Sequence, residues 1–400
     1  MPSNKSSLAI DGGPPVRKTL LPYGRQSVDD SDIAAVTEVL QGDWLTTGPH
    51  VGKFEQAFAE ATGAHHAVVL SSGTAALHAM LHVLDLQPGD EVIVPSLTFA
   101  ATANAVKYVG ARPVFADVDP STLLMGCEQI AACITPQTRA VIAVDYAGQP
   151  CDYDAIAELA RDCKLRVLSD ACHSLGATDN GRRVGSLAEL TAFSLHPVKA
   201  ITSAEGGIVT TADAAMAERL RQFRNHGIAT DHRLRESQGT WFYEQVELGF
   251  NYRLSDLQSS LGLSQLRRLP TFVARRRELA QQYDIALRDH AGLRPLAMRD
   301  HVEHAYHLYV VQLETAAWRV DRLAVFRALR AEGIGVQVHY IPVHLHPYYR
   351  EQLGTRSGQC PAAEAAYERV LSLPIFSTMT DDDQADVLAA LDKVWQHYQA

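Results

Sequence analysis

Lys199 stands in "SLHPVKAITSAEGG" (Ser194 to Gly207), among small and apolar residues, with no acid beside it until Glu205. Most lysines are solvent-facing charges. An amine held in a low-polarity setting instead has a lowered pKa and serves as a nucleophile. A second reactive group precedes it: "LRVLSDACH" ends an apolar run on Asp170. A carboxylate there needs a partner, because burying it unpaired is costly; a salt bridge or a helix cap would also supply one. The third is "SSGTAAL" (Ser71 to Leu77), an apolar run, a small-residue turn and a helix start. Such a turn offers free backbone N–H groups and a helix dipole to an anion, usually phosphate, and Ser72 and Thr74 add hydroxyls. An ordinary Ser/Thr cap is the alternative. The turn has neither the GxGxxG spacing of a dinucleotide fold nor the GK[ST] of a P-loop.

A phosphate cradle, a carboxylate and a low-polarity lysine together suit pyridoxal 5'-phosphate (PLP). Lysine makes the Schiff base, and an aspartate pairs with the pyridine nitrogen so that the ring can act as an electron sink. Phe99, just after "PSLT", can cover one ring face or belong to the core.

Short β-rich runs recur at 66–70, 91–95, 112–118, 140–146, 165–170, 191–195 and 206–211. Helical patterns lie between several of them, at 71–84 and 153–163 for example. This alternation predicts a doubly wound α/β domain with a mostly parallel sheet, whose ligands collect at the carboxyl ends of the strands. That edge gathers the SSGT turn, Pro95 to Phe99, Tyr146 to Gln149, Asp170 to His173 and Ser194 to Lys199. Asp170 and Lys199 are one strand–connection–strand step apart and can face one crevice.

Residues 1–30 read as an extended arm and 31–264 as the large α/β domain. Residues 265–400 read as a smaller α+β domain, with strands at "HAYHLYVVQL" and "GVQVHYIPV" and a closing amphipathic helix. Ser31 is placed to cap the first helix, with Ile33, Val36 and Val39/Leu40 lining one face. Pro270 predicts a break or kink in the helical stretch after Asn251.

The 400 residues carry a net charge of −10, from 36 basic and 46 acidic side chains, which argues against a nucleic-acid surface. The six cysteines form no CxxC pair and fit no zinc site or disulfide framework, so reduced thiols in the cytoplasm and no metal are expected. The first residues show no apolar signal region, and no apolar run is long enough to cross a bilayer.

Taken in order, the motifs "TTGP", "SSGTAALHAML", "GDEVIVPSLTFAATANAV", "PVFADVDPSTL", "YAGQPCDYDAI", "SDACHSLGA", "FSLHPVKAITSAEGG", "RNHGI", "ELGFNYRLSDLQSSLGLSQL", "HYIPVHLHPYY" and "LPIFSTMTDDD" span most of the chain. They resemble the DegT/DnrJ/EryC1 family of PLP-dependent sugar aminotransferases. "HPVK" and "HYIPVHLHPYY" look most like its branch that aminates UDP-4-keto-6-deoxy-N-acetylhexosamines, of the pseudaminic acid type.

The resemblance implies fold-type I, aspartate aminotransferase-like architecture and a ping-pong transfer from L-glutamate to a nucleotide-linked keto sugar. PLP would alternate with pyridoxamine 5'-phosphate (PMP). Lys199 would be the Schiff-base lysine, Asp170 the partner of the ring nitrogen, and His173 a contact to the ring or its phenolic oxygen. Phe99 would stack on the ring, and Gly73, Thr74 and Ser194 would bind its phosphate. Asn251 would reach the phosphate of a neighbouring subunit's cofactor, implying a homodimer with shared active sites. Arg253 would meet an anionic group there, or form a structural ion pair.

The chain departs from the family pattern at Ser169 and Cys172 in "SDACH", at Leu195 and at Ala204, none of which removes a reacting group. The sugar nucleotide is expected at the loops holding Tyr23, Trp44 and Thr46. His232, Arg233 and Arg235 could meet a diphosphate or be solvated charges. Another keto sugar or a cyclitol is an alternative acceptor. A PMP-dependent sugar dehydratase is a further alternative, but that branch replaces the lysine with histidine.

Overall fold

The computed structural model describes residues 7–230, 235, 237 and 239–400. The apolar runs form β1 (His66–Leu70), β2 (Glu91–Pro95), β3 (Arg112–Ala116), β4 (Thr138–Val144), β5 (Arg166–Asp170), β6 (Leu190–Ser194) and β7 (Gly207–Thr211). They make one sheet in the order β1-β7-β6-β5-β4-β2-β3. β2 runs parallel to β3 and β4, β4 to β5, and β5 to β6. β7 is antiparallel to both of its neighbours. Strands this apolar must be covered on both faces, and helices do so.

Around the sheet lie α1 (Asp30–Gln41), α2 (Pro49–Thr62), α3 (Gly73–His82), α4 (Ala100–Tyr108), α5 (Tyr153–Cys163), α6 (Ala214–Phe223) and α7 (Asp256–Leu287). α3 packs on β6 and β7, α5 on β5, and α6 on β1. Six strands share one direction, so the ends of β1, β2, β4, β5 and β6 meet at one edge.

The cap of α1 is Asp29, not Ser31: its carboxylate accepts from the Ser31 and Asp32 backbone amides. Ionised and two residues earlier, it supplies the stronger acceptor at the helix's positive end. Val39 is buried, but Ile33 and Leu40 are exposed. α7 passes through Pro270 without a break. The missing N–H leaves the Leu266 carbonyl without its usual donor, but Leu266, Leu269, Phe272 and Val273 are buried around the proline and hold the helix in place. The composition boundary at residue 265 falls inside α7. Its first half lies along α1 and α2, and farther on its Leu279 carbonyl accepts from Gln384.

The C-terminal part holds β8 (Leu293–Pro295), β9 (Tyr309–Leu313), α8 (Arg322–Ala331), β10 (Val370–Leu373) and α9 (Asp381–Tyr398). β8, β9 and β10 form an antiparallel sheet. The expected strand "GVQVHYIPV" is absent; the segment makes one bridge, Gln337 to Ser372, and otherwise runs irregularly. The amino-terminal arm belongs to this core. Leu8 and Leu21 are buried with Leu279, Val325, Leu329 and Val387. The buried Glu332 carboxylate accepts from the Ala9 and Val16 amides and from Lys393 Nζ.

Candidate active site

At the shared strand edge lies a cavity of about 500 Å³. Its lining brings together Tyr23, Gly73, Thr74, Phe99, Asp170, His173, Ser194 and Lys199, all expected from the sequence.

The α3 start is shaped by close approach. Ser72 caps the helix by accepting from the Ala75 amide. A Cβ on Gly73 would lie 2.9 Å from Ser194 Cβ, and one on Gly207 would lie 2.1 Å from the Ser72 carbonyl oxygen. Only glycine lets β7 and the end of β6 close on this turn. The first amides of α3 have no partner within the helix and carry its positive pole, so the turn at Gly73 and Thr74, with Ser194 beside it, suits an anion.

Asp170 ends β5. Its Oδ2 accepts from Thr102 Oγ1 at 2.7 Å, and its Oδ1 from the Cys172 amide at 3.2 Å. Thr98 Oγ1 sits 2.8 Å from Thr102 Oγ1 and orients it. These donors are neutral and aim the carboxylate without neutralising it. Lys199 lies in the turn after β6, where its amide donates to the His196 carbonyl at 2.9 Å. Its side chain is half-buried. Burial holds its amine below the usual lysine range, with Cys172 and Asp170 opposing the shift in part.

One wall is built of histidines and tyrosine. His173 Nε2 is 3.0 Å from the Tyr340 hydroxyl, and its ring lies 4.3 Å from that of His307. Burial, with Lys199 next, pushes His173 well below the ordinary histidine range, so its ring is neutral. Burial also pushes the Tyr340 phenol up, keeping it protonated. With Tyr340 as the donor, the His173 proton sits on Nδ1, a buried atom without a hydrogen-bond partner. His307 Nδ1 is likewise buried and unpartnered. Behind it, Arg276 Nη1 donates to the His307 and Ile375 carbonyls.

These features match what PLP requires. The helix start suits its phosphate, Asp170 its ring nitrogen, Lys199 its aldehyde, and the orphaned His173 Nδ1 an oxygen acceptor. Phe99, 59% exposed at the cavity, offers an uncovered ring face.

Trp44, Thr46, Asn251 and Arg253 do not line this cavity. Thr46 bridges to Ser255 and Asn251 to Asn225, and Arg253 Nη1 donates to Asn225 at 2.7 Å. Arg235 Nη1 donates to the Thr230 carbonyl. His232 and Arg233 lie outside the described residues. The sequence reading missed Thr102, Glu205, His307, Gln337, His339 and Tyr340 as lining or supporting groups. The last three sit in the segment expected as a strand. Its motif "HYIPVHLHPYY" was visible, but not its fold over the cavity.

The sequence profile of the DegT/DnrJ/EryC1/StrS aminotransferase family matches residues 26–392. The spore coat polysaccharide biosynthesis protein SpsC of Bacillus subtilis is 42% identical over 377 residues, covering 94% of this chain and 97% of SpsC. Helicobacter pylori PseC, an aminotransferase involved in the biosynthesis of pseudoaminic acid, superimposes with a TM-score of 0.89 at 30% identity, over 95% of this chain and 100% of PseC. Spr1654 of Streptococcus pneumoniae, solved in PMP and PLP forms, is 31% identical to it. The PMP form gives a TM-score of 0.89 over 94% of this chain and 99% of that one.

Proposed function

The chain belongs to the DegT/DnrJ/EryC1/StrS aminotransferase family, and from that premise we propose that it transfers an amino group from L-glutamate to a nucleotide-linked 4-keto-6-deoxy sugar, most simply a UDP-linked N-acetylhexosamine. It is an aminotransferase using PLP, with PMP as the alternate form. The observation that carries the reading is the meeting of Lys199 and Asp170 in one cavity with the start of α3.

When bound, PLP supplies an aldehyde for an amine and a ring that spreads the charge left when the neighbouring carbon loses its proton. Gly73, Thr74 and Ser194 would anchor it through the phosphate. Asp170 would hold a proton at the ring nitrogen with a carboxylate already aimed by Thr102 and the Cys172 amide. His173 would donate from Nδ1 to the ring oxygen, and Phe99 would shield the ring from water. Lys199, its amine held toward the free-base form, would take a proton at Nζ and return it, as general base and then acid.

The acceptor reading draws on the polysaccharide and pseudoaminic acid roles in the names of SpsC and PseC. Tyr23, His196, Glu205, Gln337 and His339 give the cavity polar groups for sugar hydroxyls. A homodimer fits the exposed run Trp241, Phe242, Tyr243, Val246, Leu248 and Phe250, which ends beside Asn251. Asn251 and Arg253 would then serve the partner's site. The six unpaired cysteines accord with a cytoplasmic enzyme.

The test is the visible spectrum of the PLP-loaded protein before and after L-glutamate. Bleaching of the yellow band to the PMP form is expected, and restoration of the band should identify the acceptor among UDP-, GDP- and dTDP-linked 4-keto sugars. A band that glutamate leaves unchanged would refute the donor assignment. Thr102→Val should lower kcat about 10- to 100-fold, the value of a hydrogen bond to a charged group. Unchanged kcat would remove Thr102 from the site's support.

A further inference from the structure

Asp145 follows β4 and is fully buried, but it does not line the cavity. β4 and β5 are parallel with Val144 opposite Asp170, which places Asp145 one residue beyond that pair. Its amide donates to the Asp170 carbonyl at 3.1 Å. Its Oδ2 accepts from Ser174 Oγ at 2.6 Å. Asp145 therefore grips the turn Asp170-Ala171-Cys172-His173-Ser174 at both ends. The two residues that would meet the cofactor ring, Asp170 and His173, both lie in that turn.

We propose that Asp145 is a positioning residue for the transamination site, which fixes Asp170 and His173 from behind and adjusts through its own charge how firmly Asp170 holds the ring-nitrogen proton. The inference rests on the reading of Asp170 as the ring-nitrogen partner.

The remaining neighbours of Asp145 fit this role better than that of a plain structural ion pair. Oδ1 accepts from the Tyr153 hydroxyl of α5 at 2.7 Å and from the Cys151 amide at 3.0 Å. The Tyr153 hydroxyl is also 2.5 Å from Ser169 Oγ. A hydroxyl has one proton, so when Tyr153 gives its proton to Asp145, Ser169 must be the donor in the second bond. The titratable side chains around Asp145 are Asp170 and Cys172 from the β5 end, Tyr153 and Cys151. Arg299, beyond Cys151, is ion-paired to Asp152 at 3.2 Å and Asp179 at 3.5 Å. Every hydrogen-bond donor that reaches the Asp145 carboxylate is thus neutral.

Burial raises this carboxyl to about 7, and the negative charge of Asp170 adds to the rise. The Ser174 and Tyr153 hydrogen bonds and the Cys151 amide oppose it by stabilising the ionised form. Ionisation of Asp145 near neutral pH places a second negative charge behind Asp170. That charge strengthens the hold of Asp170 on a proton at the ring nitrogen.

The experiment is a visible-absorption titration of the PLP-loaded protein from pH 5.5 to 9, for the parent, Asp145→Asn and Ser174→Ala. The parent should show a spectral step centred at about 7, which Asp145→Asn removes. Ser174→Ala deletes a donor to the ionised form and should move the step to higher pH. It also keeps the question answerable if Asp145→Asn does not fold. A step that survives Asp145→Asn, or a midpoint unmoved by Ser174→Ala, would overturn this inference alone. A protein without a visible band would overturn the cofactor reading and this inference with it.

Discussion

Turnover of Lys199→Ala should fall by at least about 10⁴-fold, the upper end of what one positioned acid–base group supplies. The loss is large because no second amine stands in the cavity to take over. Lys199 is the one lysine or arginine in the lining among the described residues. His173, His307 and His339 are all held below the ordinary histidine range, chiefly by burial. His173 and His339 are further committed to Tyr340 and Ser372. Lys199→Arg should not restore turnover, because a guanidinium stays protonated and cannot serve as a base. A small added amine should restore a measurable fraction, since it can enter the space left by the side chain. Steady-state rates with and without methylamine, on protein shown to be folded by its melting curve, check this. Near-normal turnover without the amine would refute the role of Lys199.

Asp170→Asn should cost about 10²- to 10³-fold in kcat, the range for losing one preorganised electrostatic group. The side chain is nearly isosteric, but it lacks the charge and has one acceptor oxygen in place of two. Asp170 now accepts from Thr102 at one oxygen and from the Cys172 amide at the other. An asparagine must turn its NH₂ toward one of these groups, and it cannot hold a proton at the ring nitrogen. The fall should lie in kcat with KM little changed, because the lost interaction belongs to the charge formed in the transition state. A loss confined to KM would move Asp170 from the chemistry to substrate binding.

Much of this site was legible because short-range pattern and long-range packing agree there. The main-sheet strands are apolar enough to be recognised alone, and α5 spans the expected 153–163. A parallel sheet then fixes which strand ends meet, so Asp170, Ser194 and Lys199 could be assigned to one crevice without any structure. The run Gly335 to Val343 shows where this reasoning stops. Its alternating β-branched and aromatic residues suit a strand, but a strand needs a partner edge. Here the Tyr146 hydroxyl donates to the His339 carbonyl, and the Tyr340 hydroxyl turns to His173. Those partners are some 170 to 190 residues away in sequence, and no local pattern encodes them. Ile33 and Leu40, exposed on one face of α1, show a related limit: an apolar helix face shows that something is to be covered, not that this chain covers it.

The arm has a consequence for how the protein is made. Leu8 and Leu21 leave the ribosome long before the residues that bury them, from Leu279 to Val394. During translation the arm has no docking surface while the large sheet is being completed. Until Lys393 arrives, the buried Glu332 carboxylate lacks its cation. The C-terminal core therefore closes only after synthesis has passed Val394. Its assembly waits on the docking of the arm onto residues made several hundred positions later.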